Sequence, residues 1–168
     1  MDDTPWLDDD ELAAWVRLAA LLELLPGALD SQLRRDAGLT HFEYYALAML
    51  SETPERTLRM TALAAQTNAT LPRLSHVVRR LEERGLVERV PCPDDARATN
   101  VRLSEAGWAK VRQAAPGHVV NVRQHVLDAL SPEQVGQLAA IGDAVLHRLD
   151  PDARLAPLYE RYDRPREA

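Results

Sequence analysis

The chain holds a single cysteine, Cys92, in 168 residues, so no disulfide can close within it. That excludes a disulfide-stapled secreted domain and fits a reducing cytoplasm. It has no glycine-rich phosphate loop, no H-E-x-x-H pair and no G-x-S-x-G elbow, which leaves catalysis without candidate residues; the chain is read as not an enzyme. Five histidines, His41, His76, His118, His125 and His147, are scattered. His118 and His125, seven apart, can share a helix face, but no Cys, Asp or Glu joins them at close ligand spacing, and neither a metal nor a cofactor is expected. The start, Met1-Asp2-Asp3-Thr4-Pro5, is acidic where a secretory signal is basic, and Arg17 and Glu23 interrupt the longest apolar runs. Neither export nor a membrane span is expected. Internal repeats and low-complexity tracts are also missing.

What is present is an ordinary globular composition, 46% hydrophobic and 27% charged, in a chain long enough to bury a real core. The net charge of −6 looks wrong for a nucleic-acid binder until it is divided along the chain. Between Arg56 and Arg102 nine arginines face five acidic residues, a local charge of +4, and the remainder carries −10. A basic block in an acidic chain attracts phosphate with one surface while the rest stays soluble. Charge alone leaves a second reading open: a solvated, salt-bridged helix face, since Arg and Glu alternate through 79–84.

The pattern around that block is decisive. From Thr70 to Gly85, Leu71, Leu74, Val77, Val78 and Leu81 recur at three- and four-residue spacing and turn inward on a helix that Thr70 caps and Gly85 ends. The outward side carries Pro72, Arg73, Ser75, His76, Arg79, Arg80, Glu83 and Arg84. Upstream, 60–67 reads as a short helix with Leu63 and Ala64 inward, and Asn68-Ala69 leaves only a tight turn: a helix-turn-helix. Downstream, 86–90 and 99–103 alternate at the strand period around the turn-forming stretch 91–98. Helix, turn, helix and β-hairpin make a winged helix, spanning 38–103.

Flanking it are long apolar helices. Asp8 with Glu11 opens the first, with Leu12, Trp15, Ala19, Leu22 and Leu25 as its stripe; Pro26-Gly27 is expected to kink or break it before Leu29 and Leu33 resume. Thr40 and Glu43 form a capping box for the next helix, with Leu39 and Tyr44 placed to staple across it, and 51–54 stops it. Ser104 caps a helix carrying Val111, Ala115, Val119, Val122, Val126 and Leu130, with a bend expected at Pro116-Gly117. Ser131, Pro132 and Gln134 open a last helix with Leu138, Ile141, Val145 and Leu149 as its stripe. The tail, 150–168, is charged and proline-dotted, with Leu155, Leu158 and Tyr159 as anchors. The helices of 1–37 and 104–149 exceed what a winged helix needs for its own core, and packing against a second copy buries their surplus most economically. The fold class is mostly α, a winged helix flanked by N- and C-terminal dimerisation helices.

Four stretches together resemble the MarR family of winged-helix transcriptional regulators: Gly38-Leu39-Thr40; the run from Arg79 to Val87; Asp95-Ala96-Arg97; and Leu103 to Gly107. The similarity extends over about Asp8 to Leu149. It implies a cytoplasmic homodimer that binds a pseudo-palindromic double-stranded operator, acts as a repressor and releases DNA when a small apolar or aromatic effector binds. The family's D-x-R wing motif falls on Asp95 and Arg97, where Arg97 suits the narrow minor groove and Asp95 would orient it by a salt bridge. Its recognition-helix positions fall on Thr70 to Arg80. There Thr70 and Ser75 suit phosphate, Arg73 and His76 suit base edges, Arg73 with guanine above all, and Arg79, Arg80 and Arg84 suit phosphates or structural ion pairs. Leu71 and Pro72 stand where other members often carry polar or basic residues, which shifts readout toward Arg73, His76 and the wing. The effector cleft implied by the family would be lined by Trp15, Ala19, Tyr44, Tyr45 and Trp108. Cys92, between two prolines with no basic group fixed beside it, reads as an unreactive strand-end cysteine. A second function from another class stays open: a helical dimer acting through protein or small-molecule contacts, with DNA binding weak or lost.

Overall fold

A computed structural model describes residues 4–93, 95–160 and 162. Helix α1 (Asp9–Ala37) opens on a reciprocal capping box between Asp8 and Glu11 and closes at Gly38, whose φ of 62° is the left-handed position that favours glycine. Of the kink or break expected at Pro26-Gly27, the break does not occur: α1 runs on through Pro26. Proline there removes one helical bond, to the carbonyl four residues earlier, on a side open to water that can take it over. The same holds at Pro116 in α5 (Glu105–His125), where the expected bend does not end the helix.

Helix α2 (His41–Ser51) begins at the Thr40–Glu43 box and lies under the lobe. A short strand, β1 (Thr57–Arg59), follows; three residues are too few for periodicity to reveal, and it pairs antiparallel with β3 (Asp95–Leu103). Then come α3 (Met60–Gln66), a turn in which Asn68 takes a φ of 46°, and α4 (Leu71–Glu83). Strand β2 (Val87–Cys92) completes a sheet of order β1-β3-β2. The wing strands are longer than the sequence suggests: β2 runs to Cys92, which pairs with Asp95 beyond a register irregularity at Pro91/Cys92.

The core is one cluster in which Leu33 of α1, Leu47 and Leu50 of α2, Leu63 of α3, Leu74, Val78 and Leu81 of α4 and Val101 of β3 are all fully buried. Leu71, expected inward, is exposed instead: it is the first helical residue of α4 and sits on the lip of a groove.

Helices α5 and α6 (Pro132–Leu149) complete the chain's arms, and a short α7 (Ala156–Tyr159) folds back onto the lobe with Ala156 buried and Leu158 against the core. The arms are apolar and bare. Trp15, Val16, Leu21, Leu22 and Leu24 of α1 are exposed, as are Leu138, Ile141, Val145 and Leu149 of α6, and α6 buries no residue at all. By length and composition alone α1 could cross a membrane, with a window of mean hydropathy 1.6, so the charges at Arg17 and Glu23 do not break its apolar character as the sequence reading supposed.

Candidate nucleic-acid interface

Helix α4 is fixed at both ends by local chemistry. Thr70 Oγ1 accepts the Arg73 backbone N–H at 3.4 Å, and beyond the last turn Gly85 at φ 68° lets Leu86 N–H reach the Leu81 carbonyl at 2.9 Å. The chain therefore leaves α4 directly into β2, and the wing is set beside the helix by the same turn that ends it.

With Leu74, Val78 and Leu81 inward, the polar residues of α4 divide between two sides. Pro72, Ser75, His76 and Arg79, at i, i+3, i+4 and i+7, line one open groove of about 350 Å³ together with Arg89 of β2. Arg79 Nη2 lies 2.9 Å from His76 Nδ1, and because guanidinium only donates, Nδ1 is the acceptor in this contact and Nε2 is left to carry the ring proton. Arg73, Arg80 and Arg84 turn the other way, toward α2. Arg73 stacks over the Phe42 ring at 4.6 Å, and Arg80 and Arg84 reach the buried carboxylate of Glu43 at 3.1 and 3.6 Å. Arg73, expected to suit a guanine edge, thus stacks on Phe42 on the α2 side, and Arg80 takes up the structural ion pair that was one of its two expected roles.

The wing contributes what the helix lacks. Arg89, which the sequence reading did not single out, is bound by Glu82 of α4 (Nη1 to Oε2, 2.8 Å) and donates from Nη2 to the Ser75 carbonyl at 3.0 Å. An acid seven residues upstream was the available signal. Asp95 does not hold the Arg97 guanidinium as expected. Its Oδ1 accepts the Arg97 backbone N–H at 3.0 Å, and its Oδ2 lies 3.8 Å from Arg59, so it shapes the strand start while Arg97 stands exposed. Arg59 Nη2 also donates to Cys92 Sγ at 3.3 Å, which overturns the reading of a cysteine with no basic group beside it; Cys92 itself is buried. Arg59, Arg89 and Arg97 with Leu71, Pro72 and Ser75 thus line an open groove of about 630 Å³ between α4 and the wing.

The five residues expected to line an effector cleft occupy different surroundings. Trp15 is exposed and Ala19 half-buried on the free part of α1, and Trp108 lies under Arg56 at 4.4 Å. Tyr45 donates to the Gln66 carbonyl at 3.3 Å. Tyr44 is in the core, 4.7 Å from the His118 ring of α5, and His41 lies 6.2 Å from His118 on the other side. Burial pushes both imidazoles below the usual histidine pKa, and their mutual repulsion adds to it at His118.

The comparisons agree with this geometry. The MarR family sequence model matches residues 37–98. A MarR family transcriptional regulator from Streptomyces coelicolor, crystallised in complex with DNA, is 44% identical, with a TM-score of 0.85 over 90% of this chain and 94% of that one. AbsC, also a MarR family transcriptional regulator from Streptomyces coelicolor, is 36% identical, with a TM-score of 0.80 over 90% of this chain and 99% of its own. The HTH-type transcriptional repressor IacR of Pseudomonas putida is 28% identical over 104 residues; that match spans 62% of this chain but only 60% of the repressor's length. Fold, interface and relatives converge: the chain belongs to the MarR family of transcriptional regulators.

Proposed function

We propose that this regulator binds a pseudo-palindromic operator as a homodimer and represses transcription from it in the cytoplasm. The observation that carries the reading is the convergence of Arg59, Arg89 and Arg97 with Pro72, Ser75, His76 and Arg79 on one open side of α4 and the wing. Arg59 and Arg89, in the groove between α4 and the wing, face the phosphate backbone, and exposed Arg97 is the group for the minor groove, whose negative potential favours it. The protonated His76 Nε2 suits an acceptor on a guanine edge. Thr70 Oγ1 accepts the Arg73 backbone N–H at the start of α4 and keeps its own O–H to donate to a phosphate.

Dimerisation is supported by the bare apolar faces of α1 and α6, which are too large for a monomer's surface. One recognition helix per protomer then sets half-sites about one helical turn apart, roughly 10 base pairs. An effector would act at the junction of α1, α2 and α5, where His118 Nδ1 is buried with no hydrogen-bond partner among the described residues. The testing experiment is fluorescence anisotropy on the duplex upstream of the protein's own gene against random duplex, across a salt series, with Arg97→Ala alongside. Tight, salt-steep binding to the upstream fragment, weakened by about 1–3 kcal/mol in Arg97→Ala, is the expected result. Equal weak binding to both duplexes, unchanged by the substitution, would overturn it.

A further inference from the structure

Three arginines on the α2 side of α4 are withheld from the groove, and one carboxylate accounts for two of them. Glu43 is only 2% exposed, yet it is the third residue of α2 and completes the capping box there, accepting the Thr40 backbone N–H on Oε2 at 2.8 Å. Arg80 approaches the other oxygen at 3.1 Å as an ion pair, off the line of a hydrogen bond, and Arg84 approaches Oε2 at 3.6 Å while donating to the Gly38 carbonyl at 3.1 Å. The two arginine side chains are 49% and 37% exposed, so Glu43, joined at Arg84 by the Gly38 carbonyl, rather than burial keeps them where they are.

A recognition helix seated in a major groove has phosphates along both flanks. Cations free on either flank add affinity that does not depend on sequence. From the geometry we propose that Glu43 is a specificity-determining residue: by holding Arg80 and Arg84 against α2 it keeps two guanidiniums off the phosphate backbone and so limits binding to random DNA. The inference rests on the DNA-binding reading above.

Glu43→Gln removes the charge and keeps the cap, since glutamine serves equally at that position of a capping box. The experiment measures the salt dependence of binding to a random duplex of about 30 base pairs by full-length wild type, Glu43→Gln and Arg80→Gln/Arg84→Gln, with thermal melts confirming the fold. Each phosphate neutralised adds about 0.9 to the slope of log K against log salt. Glu43→Gln is expected to bind random duplex several-fold tighter, with a slope steeper by about 1–2, and Arg80→Gln/Arg84→Gln to keep the wild-type slope. A purely structural Glu43 would leave the slope unchanged or weaken binding to every duplex alike, and either result overturns the inference. Should Glu43→Gln fail to fold, a shallower slope in the double variant overturns it and an unchanged slope supports it. A wild type that binds no duplex would overturn the DNA-binding reading and this with it, whereas a binding wild type with an unaltered Glu43→Gln overturns this alone.

Discussion

Arg73 lies with its guanidinium 4.6 Å above the ring of Phe42, bridging the recognition helix to the helix behind it. The residue that the family resemblance nominates as the guanine reader makes a cation–π contact inside its own protomer. Arg73→Ala is expected to lower stability by about 0.5–1 kcal/mol and to leave operator preference unchanged. His76→Ala, on the open side, should cost about 1–3 kcal/mol of operator affinity and relax the choice of base it faces. Thermal melts and anisotropy on single-base operator variants separate the two effects.

Gly107 yields a prediction that helix propensity gets backwards. Alanine is favoured over glycine by about 1 kcal/mol inside a helix. A Cβ at Gly107, however, would meet the Leu86 carbonyl oxygen at 2.0 Å and its carbon at 3.0 Å, backbone atoms that cannot swing aside. Gly107→Ala should therefore destabilise the protein by about 1–3 kcal/mol in a urea melt, because α5 must back away from the strand entry.

Ile141 is 61% exposed on α6, so a charge there leaves the protomer's own packing untouched. Ile141→Glu is expected to abolish the dimer in sedimentation without unfolding the lobe. Operator affinity should then fall by about a hundredfold, as two linked half-site contacts become one.

The His41–His118 pair makes stability depend on pH. Both pKa values are lowered by burial, so below about pH 6.5 the unfolded chain takes up protons that the folded one refuses. The stability these groups contribute is present above that pH and lost as pH falls through the folded pKa values. The melting temperature should drop between about pH 7 and pH 5, and His118→Gln should flatten the dependence.

Much of this fold was legible in the sequence because its signals are local. The boxes at Asp8/Glu11, Thr40/Glu43 and Ser131/Gln134, the caps at Thr70 and Ser104, and the left-handed Gly85 all stand where residue types alone placed them. What was not legible depends on phase and partners across the chain. One helical periodicity serves both Pro72 and Arg73, and only the position of α2 decides that Arg73 turns toward Phe42. The Arg89–Glu82 pair, the Arg59–Cys92 contact and the strand at 57–59 likewise arise between elements, where no single stretch carries the signal. Proline ended neither helix, at 26 or at 116, because a solvent-facing helix can forgo one bond and continue.

At the far end of the chain, Asp150 accepts the Leu155 backbone N–H at 2.6 Å, Leu158 packs against the core, and Tyr162 donates to Glu52 at 3.2 Å. Those contacts tether the end of α6 to the lobe of the same protomer. The long arm is therefore not a loose strut: if the lobe turns, it must drag its own α6 along, and in the proposed dimer that torque would reach the seam between the two copies.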